Sequence, residues 1–287
     1  MKEGLMIKRE LTNNRLPRNF HKTFVPERKY INAILKYAAK GGTGDIQAIA
    51  ADTGIPTGKS SGKVAPNLDY CRGMGLIQIS DIRSSVKSPE LTPFGRIVLL
   101  EDPFLKESIT QWIAHLNLCN YRSGADTWYR TFFEGVHILG MKFTREQLED
   151  YLAKSYMTKR GSLIGPLVRM YEDDASFNVC GALREESESI CRNIAPISDE
   201  YGNGYGAWLI QIIEENYPGI GQVTVSELDN VSGWRTVTGW DTTNTQKILE
   251  IIERKKLVIV DRHMQPWILR CIENSKTAWS KIYKDLI

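Results

Sequence analysis

Glycine and proline punctuate residues 45–100 so closely that this stretch has room only for short helices and a hairpin. Asp45 is a natural N-cap, and Ile46, Ile49 and Ala50 follow at helical spacing until Gly54 and Pro56 stop the run. A second helix carries Val64, Leu68 and Cys71 on one face and closes at Gly73 and Gly75. Proline costs about 3 kcal/mol inside a helix but little in its first turn, so Pro66 sets the helix start near Val64, with Lys59–Lys63 as its approach. Leu76–Ile79 alternates as a strand. Residues 81–90, with Ser84, Ser85, Ser88 and Pro89, read as a loop between two strands. Helix, tight turn, helix, strand, polar loop, strand is the order of a winged helix-turn-helix, which lays its second helix in the DNA major groove.

Gly54-Ile-Pro-Thr-Gly58-Lys59-Ser60 imitates a phosphate-cradling P-loop, but three residues separate its glycines where four are needed, and a helical pattern precedes it where a strand is needed. A turn into a helix accounts for the same residues. Across the 287 residues, enough for about two domains, 42% hydrophobic and 25% charged content is that of an ordinary soluble protein. No apolar run approaches the roughly 20 residues of a membrane span. The N-terminal region, with Lys2, Lys8, Arg9, Arg15 and Arg18, lacks the apolar stretch of a signal peptide. Five cysteines without a Cys-x-x-Cys pair fit a reduced, cytoplasmic protein.

The net charge of +3 conceals an asymmetry: residues 1–100 carry 16 Lys+Arg against 8 Asp+Glu, and residues 101–200 carry 11 against 16. Basic charge concentrated where the winged helix falls favours a polyanion, because neutralised phosphates release counterions.

In chain order, residues 1–19 read as a flexible basic arm. A helix from about Glu27 buries Tyr30, Ile31, Ile34, Leu35 and Ala38 and ends at Gly41-Gly42 as the first helix of the winged domain, residues 20–100. Residues 101–200 read as a helical domain: Asp102-Pro103 starts one helix, Trp128–Val136 forms another, Thr144-Arg-Glu-Gln147 is a capping box, and Ser162–Tyr171 is a further helix. Pro196, Gly202, Gly204 and Gly206 suggest a boundary or mobile loop. Residues 207–287 repeat the opening logic, with a short helix at Val225–Val231, a strong one capped by Thr243, a strand at Leu257–Val260, a turn, and a returning strand from Trp267. The expected fold is thus mainly α with small β wings (α+β): an N-terminal winged helix, a helical middle and a second winged-helix-like module.

Lys59, Ser60, Ser61 and Lys63 fall at a positive helix end where phosphate binds readily. With Asn67 and Arg72 on the helix, and Arg83 and Lys87 in the wing, they form the candidate DNA contacts. Asn244, Gln246 and Lys247 are the outward-facing candidates of the second module. Catalytic groups are not assigned. Glu253-Arg-Lys255 has the Glu-x-Lys spacing of metal nucleases with Asp241 upstream, but it falls on a helix where those ligands need a strand. The four histidines are scattered without ligand spacing, and Glu172-Asp173-Asp174 is more simply a solvated helix end than a metal site.

Leu91-Thr-Pro-Phe-Gly-Arg-Ile-Val-Leu-Leu-Glu-Asp-Pro-Phe-Leu, Thr110-Gln-Trp112-Ile-Ala-His115-Leu, Thr127-Trp128-Tyr129 and Phe143-Thr-Arg-Glu-Gln-Leu148 carry a resemblance. Over residues 20–200 the chain resembles a bacterial family known as domain of unknown function 4007 (DUF4007), whose members often lie beside genes for DNA phosphorothioation and phage defence. His21-Lys22-Thr23-Phe24 resembles the family's His-Glu-Thr-Phe, with Lys22 in place of the glutamate. The resemblance implies a double-stranded-DNA-acting component of such a cluster, with other cluster proteins as partners. One branch of the family is the nicking subunit of the single-strand (Ssp) phosphorothioation system. Three readings therefore stand: a DNA-binding component without a cofactor, a DNA nickase that would use Mg²⁺, and a non-catalytic scaffold or transcriptional regulator that docks proteins through its winged helices.

Overall fold

The structure is a computed structural model that describes residues 14–58, 62–158 and 163–286. Among these, fourteen α-helices, one π-helical turn and eight strands in three small antiparallel sheets make a mixed α and β fold.

The N-terminal part holds α1 (Arg28–Ala39), α2 (Ile46–Thr53), α3 (Val64–Gly73), β1 (Ile77–Ile79), β2 (Pro89–Leu91) and α4 (Pro93–Glu101). The short-range signals explain its boundaries. Asp45 accepts the Ala48 N–H at 2.8 Å, Gly54 ends α2 in the left-handed region at φ +70°, and Thr92 accepts the Gly95 N–H at 2.9 Å. β1 pairs with β2 in the register Ile77↔Leu91 and Ile79↔Pro89, and Gly44 bridges Lys87 across the same hairpin.

The middle contains α5 (Ser108–Leu118), α6 (Asp126–Tyr129), the π-helical turn Arg130–Glu134, α7 (Val136–Leu139), β3 (Lys142–Phe143), α8 (Arg145–Ser155), α9 (Gly165–Glu172), β4 (Leu183–Glu186) and β5 (Ser189–Arg192). The strand order is β3-β5-β4. The capping box at Thr144 and Gln147 forms in full. Asp102-Pro103 does not start a helix as expected: the Asp102 carboxylate accepts the Lys106 and Glu107 N–H groups, and α5 begins after this turn.

The C-terminal part runs α10 (Asp199–Asn216), β6 (Gln222–Thr224), α11 (Val225–Ser232), α12 (Trp234–Thr238), α13 (Thr242–Arg254), β7 (Val258–Asp261), β8 (Ile268–Cys271) and α14 (Ser275–Trp279). Its sheet order is β6-β8-β7, so the first strand pairs with the third. Asp241, two residues before the expected Thr243, caps α13 by accepting the Asn244 N–H at 2.7 Å.

The glycine-rich stretch proposed as a boundary is the first half of α10, the longest helix among the described residues. Its glycines let neighbours close in. A Cβ on Gly204 would stand 2.6 Å from Ile109 of α5, and one on Gly206 would collide with Leu257 beside β7. α10 therefore touches both halves of the chain, and the buried apolar residues form one cluster from Leu16 to Tyr283. The Phe94 and Trp279 rings, 4.7 Å apart, add a second tie between α4 and α14.

Residues 14–19 are not a free arm. Leu16 is fully buried, bridges Ala125 in parallel, and exchanges backbone hydrogen bonds with Gly124 and Asp126. Arg15 pairs with Asp126 at 3.1 Å and lies over the Tyr129 ring.

Candidate nucleic-acid interface

The N-terminal candidate face departs most from expectation. Lys59, Ser60 and Ser61 lie outside the described residues. Lys63 turns back onto its own chain: its ammonium pairs with the Glu27 carboxylate at the head of α1 and lies 5.2 Å from the Tyr30 ring centroid. Burial pushes the Glu27 carboxyl up, yet Lys63 and Lys29 together hold it below its usual value. Asn67 is fully buried and donates its amide to the Lys63 carbonyl at 2.7 Å, so it is unable to reach a base.

The helix they belong to is covered. Phe20 packs edge-on against Tyr70 at 4.7 Å, the Tyr70 hydroxyl donates to the Phe24 carbonyl, and Arg72 donates to the Asn14 carbonyl at 3.1 Å. Residues 14–24 thus lie as a strap across the surface that α3 would offer to a groove. Arg72 also pairs with Asp69 at 3.7 Å. Burial raises the Asp69 carboxyl although Arg72, Lys87 and Lys22 all pull it down, so a carboxylate stands amid the expected phosphate contacts. Lys87 spends its ammonium on the Ile82 and Ser84 carbonyls at 2.7 and 2.5 Å, pinning the loop from within. Arg83, on that loop, is exposed.

The C-terminal module keeps its expected residues on the surface. Gln246 and Lys247 are exposed on α13, Asn244 is half-buried at its first turn, and Gln246 donates to Glu250 at 2.8 Å. In the β7–β8 hairpin, Arg262 pairs with Glu253 at 2.8 Å and lies over the Trp267 ring, while Arg270 is exposed. The nuclease-like residues do not converge. Glu253 accepts the Val260 N–H, Lys255 pairs with Asp285 at 3.0 Å, and Asp241 caps the far end of a helix roughly 18 Å away by its rise per residue.

A crease not foreseen from the sequence lies between this hairpin and the first turns of α11 and α13. It has a volume of about 110 Å³ and is lined among others by Ser226, Arg235, Thr242, Thr245, Gln265 and Trp267. Asp229 holds Arg235 in place through Nε at 3.0 Å and Nη2 at 2.7 Å. Only the run Thr242-Thr-Asn-Thr245 hinted at this site, since hydroxyl residues also serve as ordinary helix starts.

Elsewhere the titratable groups are structural. His115 is fully buried with Nδ1 2.6 Å from the Tyr171 hydroxyl, which also accepts the Trp128 indole N–H. In the acidic triplet, Glu172 pairs with Arg145, Asp173 accepts the Ala175 N–H, and Asp174 accepts from Asn178. Among the described residues no three His, Cys, Asp or Glu side chains gather as a metal-ligand set, and no helix is long and apolar enough to cross a membrane.

No protein-family model matches the chain, and no curated protein matches it. Two solved structures do. A magnesium ion-bound SspB crystal structure aligns with a TM-score of 0.69 and 16% identity over 96% of this chain and 90% of that one. A second SspB crystal structure aligns with a TM-score of 0.66 at the same identity and coverage. At that identity the likeness is one of fold, and it extends over nearly the whole of both chains.

Proposed function

We propose that this chain is a DNA-binding component of a bacterial DNA phosphorothioation system, and that its C-terminal module, a winged helix, is the part that meets the duplex. The full-length likeness to the SspB structures carries the assignment to that system. It agrees with the family resemblance read from residues 20–200. Partner proteins of the same system follow from the same reading. The order α10, β6, α11, α12, α13, β7, β8 with the first strand paired to the third supports the winged-helix reading. In that reading α13 is the recognition helix, with Asn244, Gln246 and Lys247 outward and Arg270 on the wing. The N-terminal part has a shorter order, α1, α2, α3, β1, β2 with a two-stranded sheet, and its α3 lies beneath residues 14–24 and serves as core.

Fluorescence anisotropy with a short duplex at several salt concentrations tests the proposal. Affinity falling linearly on a log–log plot is the expected result. Lys247→Glu combined with Arg270→Glu weakens binding across sequences and lowers the salt slope by about two, roughly one per phosphate contact. An affinity that ignores both salt and this double substitution rejects the reading.

The magnesium in one neighbouring structure favours a second reading, a DNA nickase. Among the described residues no three carboxylate, histidine or cysteine side chains gather to hold a metal. Supercoiled plasmid incubated with Mg²⁺ or Mn²⁺ settles the matter; absence of open-circle product under both ions removes the nickase.

A further inference from the structure

The crease beside the wing combines three observations that the proposed function does not use. α11 and α13, of 8 and 13 residues, both open their first turns onto it, and the leading N–H groups of a helix have no acceptor within the helix. Each of its polar side chains is able to donate, namely the Arg235 guanidinium, the Ser226, Thr242 and Thr245 hydroxyls and the Gln265 amide, and no carboxylate lines it. Thr245 is 4% exposed, and its hydroxyl has no hydrogen-bond partner among the described residues. A buried hydroxyl left unpaired is destabilising, and a ligand oxygen in the crease would relieve that cost.

The two carboxylates at these helix ends are already committed. Asp241 accepts the Asn244 N–H, and Glu227 closes a capping box on Thr224. Arg235 is aimed by Asp229 through Nε and Nη2, which leaves Nη1 to face elsewhere. Pro266 and Trp267 line the crease on the wing side.

We infer that this crease seats a phosphate group, supplied by the backbone of the duplex held against α13. The inference rests on the proposed DNA-binding role for its ligand source, though the chemistry of the seat does not. Tetrahedral oxygens accept from the hydroxyls and the guanidinium, whose charge opposes that of the phosphate. The seat would fix the register of α13 in the groove and carry no sequence information itself.

The test uses the full chain with Thr245→Val, which keeps the side-chain shape and removes the hydroxyl, and Gln265→Ala as an exposed second variant. Two quantities are read: duplex affinity at fixed salt, and melting temperature in inorganic phosphate against chloride of equal ionic strength. The expected result is that Thr245→Val weakens duplex binding roughly tenfold while its melting temperature holds or rises, because an unpaired buried hydroxyl has gone. A purely structural role would move the melting temperature down. If duplex affinity stays constant but phosphate raises the melting temperature of the parent and not of Thr245→Val, the seat stands and its ligand is free phosphate. A parent chain that binds no duplex even at low salt ends the DNA-binding reading, and the phosphate arm then decides the seat alone. Both variants matching the parent in both measurements overturns the inference.

Discussion

His115 sits wholly inside the core against Tyr171, and His21 is 6% exposed with its Nδ1 accepting the Thr23 N–H. Burial lowers their pKa values to about 3 and about 4. The folded state keeps both rings neutral, so as pH falls below about 6.5 the unfolded chain takes up protons first. Stability is full above that pH and is lost through the window from about 6.5 down to 4, by up to roughly 1.4 kcal/mol per pH unit for each ring. Urea unfolding at pH 7, 6 and 5 checks this, and His115→Gln should remove about half of the slope. Lys63 gives a second residue-scale expectation. Charge reversal by Lys63→Glu sets two carboxylates together at Glu27, lowering stability by roughly 1–2 kcal/mol while leaving duplex affinity within about twofold. Denaturation and anisotropy on the same variant separate the effects. These residues also mark where the sequence stops being informative. Asp45 and Thr144 were legible because each cap bonds an N–H three residues on. Lys63 was not, because its partner lies 36 residues away and only the folded chain brings them together.

Helices followed the sequence where apolar spacing and a cap agreed, as in α2 and α8, and the β1–β2 and β7–β8 hairpins were legible too, whereas the β4–β5 hairpin was not. α10 shows how the same reasoning misleads. Glycine disfavours a helix by about 1 kcal/mol against alanine, so three glycines in five residues read as a loop. Packing reverses that preference, since Gly204 and Gly206 admit side chains of α5 and of the segment before β7 right up to the helix backbone. Gly204→Ala with Gly206→Ala should therefore destabilise by roughly 2 kcal/mol, against the helix-propensity gain of similar size that an exposed position would give. Chemical denaturation gives the sign directly. The covering of α3 was equally illegible, because residues 14–24 carry no periodic pattern and are held by backbone bonds to Gly124 and Asp126.

Over the whole molecule, the basic excess of residues 1–100 did not reveal which cations the fold would pair. Much of the N-terminal excess is spent internally, on Glu27, Asp126 and Asp69 or on loop carbonyls. Composition has no access to this pairing. The remaining exposed cations on α13 and the wing are fewer, which is why salt dependence with the Lys247 and Arg270 reversals is the decisive measurement for the proposed function. One consequence follows from α10. A helix seated in both cores acts as a shared keel, so the N-terminal and C-terminal lobes cannot swivel independently, as modules on a tether would. Whatever duplex lies along α13 is thereby held at a set bearing to the rest of the protein, and any partner docked on the opposite lobe inherits that bearing without touching the DNA.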